Sequence, residues 1–326
     1  AGNNNNKKNS HNPMKSEAVT VLSSPLWASS QAQQWWHSCC SKGDLAAALE
    51  DRTVSAIESD IVYSRSQKDV VMAHPPVTES DLTFDEFMET CVDAAKKKHL
   101  KLDFKDAKVV DVCLRLTREK YADRLRRRHQ GLWLNADVLA GPGCATSKFD
   151  PDDFVQRCVA ALPDAVLSLG WRVDLGVGGP YDAEHVQAMI DLVKRHQLSE
   201  GGRVVVNANL RLATLEDTTP LSRVLDETSC ELLLWTGFGE PPVSQADLDQ
   251  AVKVFGLEAD DGRSSRVGFD VALTNSTPVA IAAHAAFRLF RIYASFKAKL
   301  SSSSGFSGLF SSSSSSSSKT EEGSVS

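Results

Sequence analysis

Glu58 and Asp60 stand two residues apart in the run Ala56-Ile57-Glu58-Ser59-Asp60-Ile61. On an extended strand that spacing sends both carboxylates to one face, while Ile57, Ser59 and Ile61 take the other. Two acids on a buried face resist ionising together unless a cation or hydrogen bonds neutralise them. A hard divalent ion with oxygen ligands, Mg2+ or Ca2+, resolves that conflict. Asp103, in Lys101-Leu102-Asp103-Phe104-Lys105, is the candidate third ligand. The competing reading is a buried ion network in which Glu58 pairs with Lys101 or Lys105. His37, 21 residues before Glu58, and His74, 14 residues after Asp60, move the balance toward a metal. Two imidazoles beside a metal suit phosphodiester cleavage: one takes a proton from the attacking hydroxyl or water, the other protonates the leaving oxygen. The metal and Lys105 would hold the phosphoryl oxygens and stabilise developing negative charge.

For these groups to meet, a scaffold must gather the ends of several strands. After Gln34, eight β-rich runs alternate with longer helical patterns: 35–38, 54–63, 100–104, 132–138, 165–171, 203–209, 231–236 and 266–271. Their starts recur about every 33 residues, the length of one βα unit. A turn over 66–69 separates the second run from Val70-Val71-Met72-Ala73-His74-Pro75-Pro76. Thr83 is placed to cap a helix from Phe84 to Lys98, with Lys96–Lys98 complementing its C-terminal dipole. Asp150-Pro151 opens a helix to Leu162, a helix runs from Ala183 to Leu198 before Gly201-Gly202, and Ser244 caps Gln245 to Phe255. Strand–helix alternation through eight units points to an α/β fold closed as a parallel (β/α)8 TIM barrel, the main rival being an open doubly wound sheet. In such barrels function gathers where strands end and βα loops begin. His37, Glu58, Asp60, Asp103, Asn135 and Asp137 all fall toward those ends.

Around this barrel, spanning 34–300, two segments read as disordered. Residues 1–33 are rich in Asn, Ser, Lys and Gln, and 301–326 are dominated by serine, with eight in a row at Ser311–Ser318. Such compositions bury too little apolar surface to offset ordering entropy. Roughly 270 residues remain, a usual size for one α/β barrel. The net charge of −6 argues against a general nucleic-acid binder. Seven scattered cysteines form no disulfide framework and read as free thiols in a reducing compartment. No apolar run reaches a membrane-spanning length, and the polar N-terminus lacks a signal-peptide core, which slightly favours a cytoplasmic over a secreted protein.

The runs Trp36-His37, Ala56 to Ile61, Met72-Ala73-His74-Pro75-Pro76, Leu100 to Lys105 and Leu132 to Pro142 together resemble the menorin family, a branch of the phospholipase-C-like phosphodiesterase barrels. Later stretches, Leu167 to Trp171 and Leu232 to Gly237, fit too, so the resemblance covers about 34–275, nearly all of the patterned chain. More distantly, the order His, Glu-x-Asp, His, acid-x-Lys is similar to glycerophosphodiester phosphodiesterases and spider-venom sphingomyelinase D-type enzymes. That similarity implies His37 and His74 as general acid and base, Glu58, Asp60 and Asp103 as ligands of Mg2+ or Ca2+, and Lys105 as a phosphate contact. Two departures stand out. Ser38-Cys39 follow His37 where those enzymes carry Arg-Gly, and Pro75-Pro76 follow His74 where they usually carry Asp.

Further candidate substrate contacts are Asn135, Asp137, Trp171 and Arg211, with Arg211 or Arg172 as replacements for the missing phosphate arginine. Gly176-Val177-Gly178-Gly179 reads as a flexible βα loop, not a phosphate cradle. Arg124 to His129 reads as a solvated helix end, and 278–300 as the eighth barrel helix, with a membrane-surface contact as the sharper alternative for each. The functional expectation is a metal-dependent phosphodiesterase acting on a phospholipid or glycerophosphodiester. The alternative is a catalytically altered barrel that binds a protein partner through its rim. A glycosidase ranks last, because acids on one strand do not flank a glycosidic bond.

Overall fold

All eight expected runs form strands in the computed structural model, which describes residues 35–198, 204–237, 240–258 and 262–271. The strands are β1 (Trp35–Trp36), β2 (Ala56–Ser64), β3 (Asp69–Met72), β4 (His99–Phe104), β5 (Leu132–Ala140), β6 (Val166–Arg172), β7 (Val204–Asn209), β8 (Glu231–Trp235) and β9 (Val267–Asp270). Eight of them pair in parallel in the order β1-β2-β4-β5-β6-β7-β8-β9. The ninth, β3, was expected only as chain after a turn. It folds back on β2 as an antiparallel partner, with Ile61 opposite Met72 and Ser64 opposite Asp69. The result is a nearly closed parallel barrel, with no ladder between β9 and β1 among the described residues.

The helices α1 (Lys42–Glu50), α2 (Phe84–Asp93), α3 (Val110–Leu116), α4 (Ala122–Arg127), α5 (Pro151–Ala161), α6 (Ala183–Arg195), α7 (Leu210–Ala213), α8 (Ser222–Glu227) and α9 (Gln245–Phe255) fill the crossovers. A π-helical turn, Thr117–Tyr121, joins α3 to α4. The capping expectations hold at Thr83 and Ser244, both of which form capping boxes, and at Asp150, which accepts from Asp153 N. One boundary differs. α2 stops at Asp93, not Lys98, because the chain must turn to enter β4, and Lys98 leaves the dipole role to donate to the carbonyls of Asp51 and Val54. The basic run at the end of α4 is engaged on the barrel's exterior: Arg124 with Glu89 and Asp93, Arg126 with Asp123 and Asp164, Arg128 with Ala94 O. The 176–179 loop is a pinned turn, with Gly178 N donating to Asp174 O at 2.7 Å. The expected terminal segments, Gly201-Gly202 and the helix over 278–300 lie outside the described residues.

Alternation along each strand sorts the side chains. The large core lies between sheet and helices and includes Ile57, Leu102, Leu134, Leu169 and Val206. Inside the barrel, Trp35, Trp133, Val166, Val205 and Leu233 make a separate apolar plug, with Trp35 edge-on to Trp133 at 5.2 Å. Polar side chains occupy the interior above this plug. All seven cysteines are free, five of them buried.

His99, at the N-terminal end of β4, is buried and accepts from Gly131 N at its Nδ1, 2.9 Å away. Burial, then the charge of Lys97, pushes its pKa down to about 4. The folded state therefore binds this proton less tightly than the unfolded chain. Its stabilising share is complete above the unfolded value of 6.5 and is lost as pH falls from there toward 4. Between pH 7 and 4.5 the loss is on the order of 2–3 kcal/mol. Urea unfolding at the two pH values should show this slope in the wild type and a shallower one in His99→Asn, which keeps an acceptor for Gly131 N. Equal slopes would remove the assignment.

Candidate active site at the barrel mouth

The Cα register puts Asp60 beside Asp103, Asp103 beside Asn135, and Asn135 beside Ser168, so neighbouring strands deliver these side chains at one level of the barrel. Glu58, Asp60 and Asp103 are all buried, and each offers a carboxylate oxygen within 4.8 Å of the others. Asp103 Oδ1 is buried without a hydrogen-bond partner. The spacing and burial expected from the Glu-x-Asp pair and the acid on the next strand are therefore present.

Ser38 clamps the pair from β1's end. Its N–H donates to Glu58 Oε2 at 2.6 Å and its Oγ to Asp60 Oδ2 at 2.9 Å. A backbone φ of 55° at Ser38 places both donors on the acids, a left-handed conformation that a non-glycine residue adopts at some cost. Cys40 Sγ lies 3.7 Å from the same Asp60 oxygen. Burial and the neighbouring Asp60 push Glu58 up to about 7. Asp60 moves the other way. Burial opposes its ionisation, but the charges of Lys105 and His74 and the Ser38 hydroxyl prevail and hold its pKa down.

The lysines answer the competing reading in part. Lys105 Nζ lies 2.6 Å from Asp103 Oδ2 and 3.2 Å from Asp60 Oδ1. Burial disfavours its charge, yet Asp103 and Asp60 raise its pKa well above the usual lysine range. Lys101 turns instead to Asp270, 3.2 Å away, and lies over the Trp35 ring at 5.4 Å. Among the described residues neither lysine forms an ion pair with Glu58, which has His37 Nδ1 at 3.8 Å.

His37 follows β1 with its side chain about one-third exposed, and its Nδ1 sits 3.3 Å from Asp270 Oδ2. Burial alone would lower its pKa, but Glu58 and Asp270 together raise it to about 9. Asp270 is buried at the end of β9. Against that burial, Lys101 and His37 drive its pKa far below the carboxylate range. His74 follows β3 and is exposed, near enough to Asp60 to help hold its carboxylate ionised. The hydrogen bond from Ala73 N to Asp60 O, 2.9 Å, brings that stretch to the acids.

Asp137 comes up from β5 toward the same group. Burial, against the pull of Lys105, raises its pKa to about 6. Gly170 across the sheet makes room for it, since a Cβ there would sit 2.7 Å from Asp137 Oδ1. Asn135 joins Ser168 and Asn207 in a buried hydrogen-bonded cluster.

Two expected contacts lie elsewhere. Trp171 is one residue past Gly170 and so faces outward. It packs on Tyr181 at 5.1 Å and donates to His185 O at 3.1 Å, between β6 and α6. Arg211 is buried on α7, where it donates to Pro241 O and Pro242 O and faces Glu240 and Asp247. Its guanidinium ties α7 to the loop ahead of α9 and to the first turn of α9. Arg172 is exposed and donates to Thr146 O.

Asp270, Ser38 and Lys101 are the site residues not anticipated as such. Strand-end placement was a signal for Asp270, within the 266–271 run. Nothing in the chain announces that its partner lies 233 residues away.

Comparison with known proteins matches residues 30–259 to a family model described as the Menorin N-terminal domain. The chain is also similar to human Protein FAM151B, with 33% identity over 140 residues, 42% of this chain and 48% of that protein. The match therefore spans about half the length of this curated relative. The family match ends before β9, so Asp270 lies outside it.

Proposed function

This chain belongs to the menorin family, and on that premise we propose that its barrel is of the phospholipase-C-like kind and cleaves phosphodiesters with the help of a divalent cation. The substrate class is a phospholipid or glycerophosphodiester. The observation that carries the reading is the trio Glu58, Asp60 and Asp103, with oxygens within 4.8 Å of one another. The trio suits Mg2+ or Ca2+: every donor is a hard oxygen, and Asp103 Oδ1 has no other partner. Bound there, the ion would supply positive charge against the phosphoryl oxygens.

The protein's own groups do the rest. Lys105, beside Asp60 and Asp103, contributes fixed positive charge for a phosphate. Asp270 engages His37 Nδ1 and leaves Nε2 as the nitrogen that exchanges protons with the substrate. His74 stands on the loop after β3, which the Ala73 N to Asp60 O hydrogen bond brings to the acids. One imidazole accepts the proton of the attacking hydroxyl or water while the other donates to the leaving oxygen. Ser38 holds Glu58 and Asp60 in register throughout.

The test is cleavage of a panel of phospholipids and glycerophosphodiesters by the purified chain, followed by 31P NMR with Mg2+, Ca2+ or EDTA. Cleavage that EDTA stops supports the reading, and silence across the panel with both ions defeats it. Ion binding has its own readout. At 100 times its dissociation constant a cation bound only by the folded state adds about 2.7 kcal/mol, or roughly 5–10 °C in Tm. Asp103→Asn should lose that shift; a shift surviving the substitution would move the ion elsewhere.

A second reading, a catalytically altered barrel that binds a protein partner, is favoured by the contact of Lys105 with Asp103 and Asp60, which neutralises the acids without an ion. It predicts no cation-induced rise in Tm, and partner binding that survives His37→Ala, His74→Ala and chelation.

A further inference from the structure

Lys105 stands inside the acid trio as a partner of two of its members. Its Nζ donates to Asp103 Oδ2 at 2.6 Å and lies 3.2 Å from Asp60 Oδ1. The lysine side chain is 20% exposed, so water screens these contacts poorly. The ammonium thus takes one oxygen from each aspartate. Ser38 Oγ holds the other oxygen of Asp60 at 2.9 Å. Asp103 differs, because its Oδ1 is buried with no hydrogen-bond partner. A cation is welcome at Asp103 Oδ1, while at Asp60 it meets two partners already in place.

Of those two partners Ser38 is the more firmly held, since its N–H also donates to Glu58 Oε2 at 2.6 Å. Lys105 is the freer one. Its ammonium ends a flexible four-carbon stem and carries three rotatable donors, of which the aspartates use two. The longer of its two contacts is the one to Asp60. A dication seated on Asp60 and Asp103 would stand beside this ammonium, and like charges at such close range repel strongly where water is scarce.

We infer that Lys105 is a built-in counter-ion of the empty site: it opposes the binding of a divalent cation on its own, and the phosphate of the substrate draws it off Asp60. Cation and phosphodiester then bind in support of each other. An anion that engages the ammonium removes the charge that opposed the ion, and by reciprocity the bound ion raises the affinity for the anion. The inference rests on the proposed cation site and adds what controls its occupancy. The contact of Lys105 with both aspartates is then the resting state of the site, in which a cation is held weakly until a phosphate arrives.

The test is isothermal titration of the full chain with Mg2+, alone and with saturating dimethyl phosphate, a diester monoanion. The wild type should bind Mg2+ at least tenfold more tightly when the diester is present. Lys105→Met keeps the stem and removes the charge. It should bind Mg2+ alone at least tenfold more tightly than the wild type does, and gain at least threefold less from the diester. Lys105→Arg retains the charge and should not share the tighter binding of Mg2+ alone. A smaller gain in Lys105→Met, or a loss, overturns the inference and leaves the cation site standing, because the lysine then orients the acids instead of opposing the ion. An equal gain in Lys105→Arg, or a wild type indifferent to the diester, overturns it as well. So does a Lys105→Met chain that stays unfolded by circular dichroism even in saturating Mg2+, since the ion then fails to stand in for the ammonium. Absence of Mg2+ binding in all three proteins, with and without the diester, removes the cation site and the inference together.

Discussion

Asp270→Ala should cost about 3 kcal/mol of stability, the largest loss expected of any single substitution around the barrel mouth. The carboxylate is buried, and one oxygen serves both Lys101 at 3.2 Å and His37 at 3.3 Å. Removing it strands the Lys101 ammonium, whose side chain is 5% exposed, in the barrel interior. Deleting one partner of a buried ion pair typically costs about 3–5 kcal/mol, because the remaining charge keeps its desolvation penalty. Glu58, Asp103 and the Trp35 ring still attract Lys101, which places the expectation at the lower end of that range. Asp270→Asn keeps an oxygen to accept from Lys101 and should cost less than half as much. Chemical unfolding of the three proteins at pH 7 decides the matter. An alanine variant within 1 kcal/mol of wild type would mean that Lys101 finds another partner readily.

The second large effect is on turnover. His37→Ala and His74→Ala should each lower kcat about 10²–10⁴-fold on whichever phosphodiester is cleaved, the range lost when a positioned general acid or base is removed. The cation-induced rise in Tm should persist in both variants, since neither histidine belongs to the oxygen trio. That separation guards against mistaking a lost ion for a lost proton carrier. Because the two imidazoles act in one concerted displacement, the double variant should fall little further than the worse single one. Residual activity within threefold of wild type in either variant would take that histidine out of the chemistry.

The scaffold was legible because its signals are local. A buried parallel strand needs a short apolar run, a crossover helix needs an amphipathic one, and both recur at the period of a βα unit. The Glu58–Asp60 face followed from the two-residue repeat alone. The same parity, counted from Ser168 and Gly170, turns Trp171 outward. What was hidden depends on distant or conformational facts. Pairing of Asp270 with His37 joins the two ends of the barrel. The left-handed backbone of Ser38 is not visible in its residue type, and only the fold of the hairpin shows why Met72 to His74 approach Asp60. Lys105 could as easily have been read as a phosphate contact as an internal counter-ion, since both roles need one cation beside two acids.

The absence of a ladder between β9 and β1, among the described residues, carries a consequence for how the molecule comes into being. His37 emerges from synthesis with the first strand, and the carboxylate that steadies it arrives with the eighth parallel one. Until that late segment docks, the early imidazole and Lys101 lack their shared anion. Contacts of such long sequence separation form slowly, after much chain entropy has been lost. A nascent or clipped chain ending before Val267 would therefore hold most of its sheet while its reactive centre stayed incomplete.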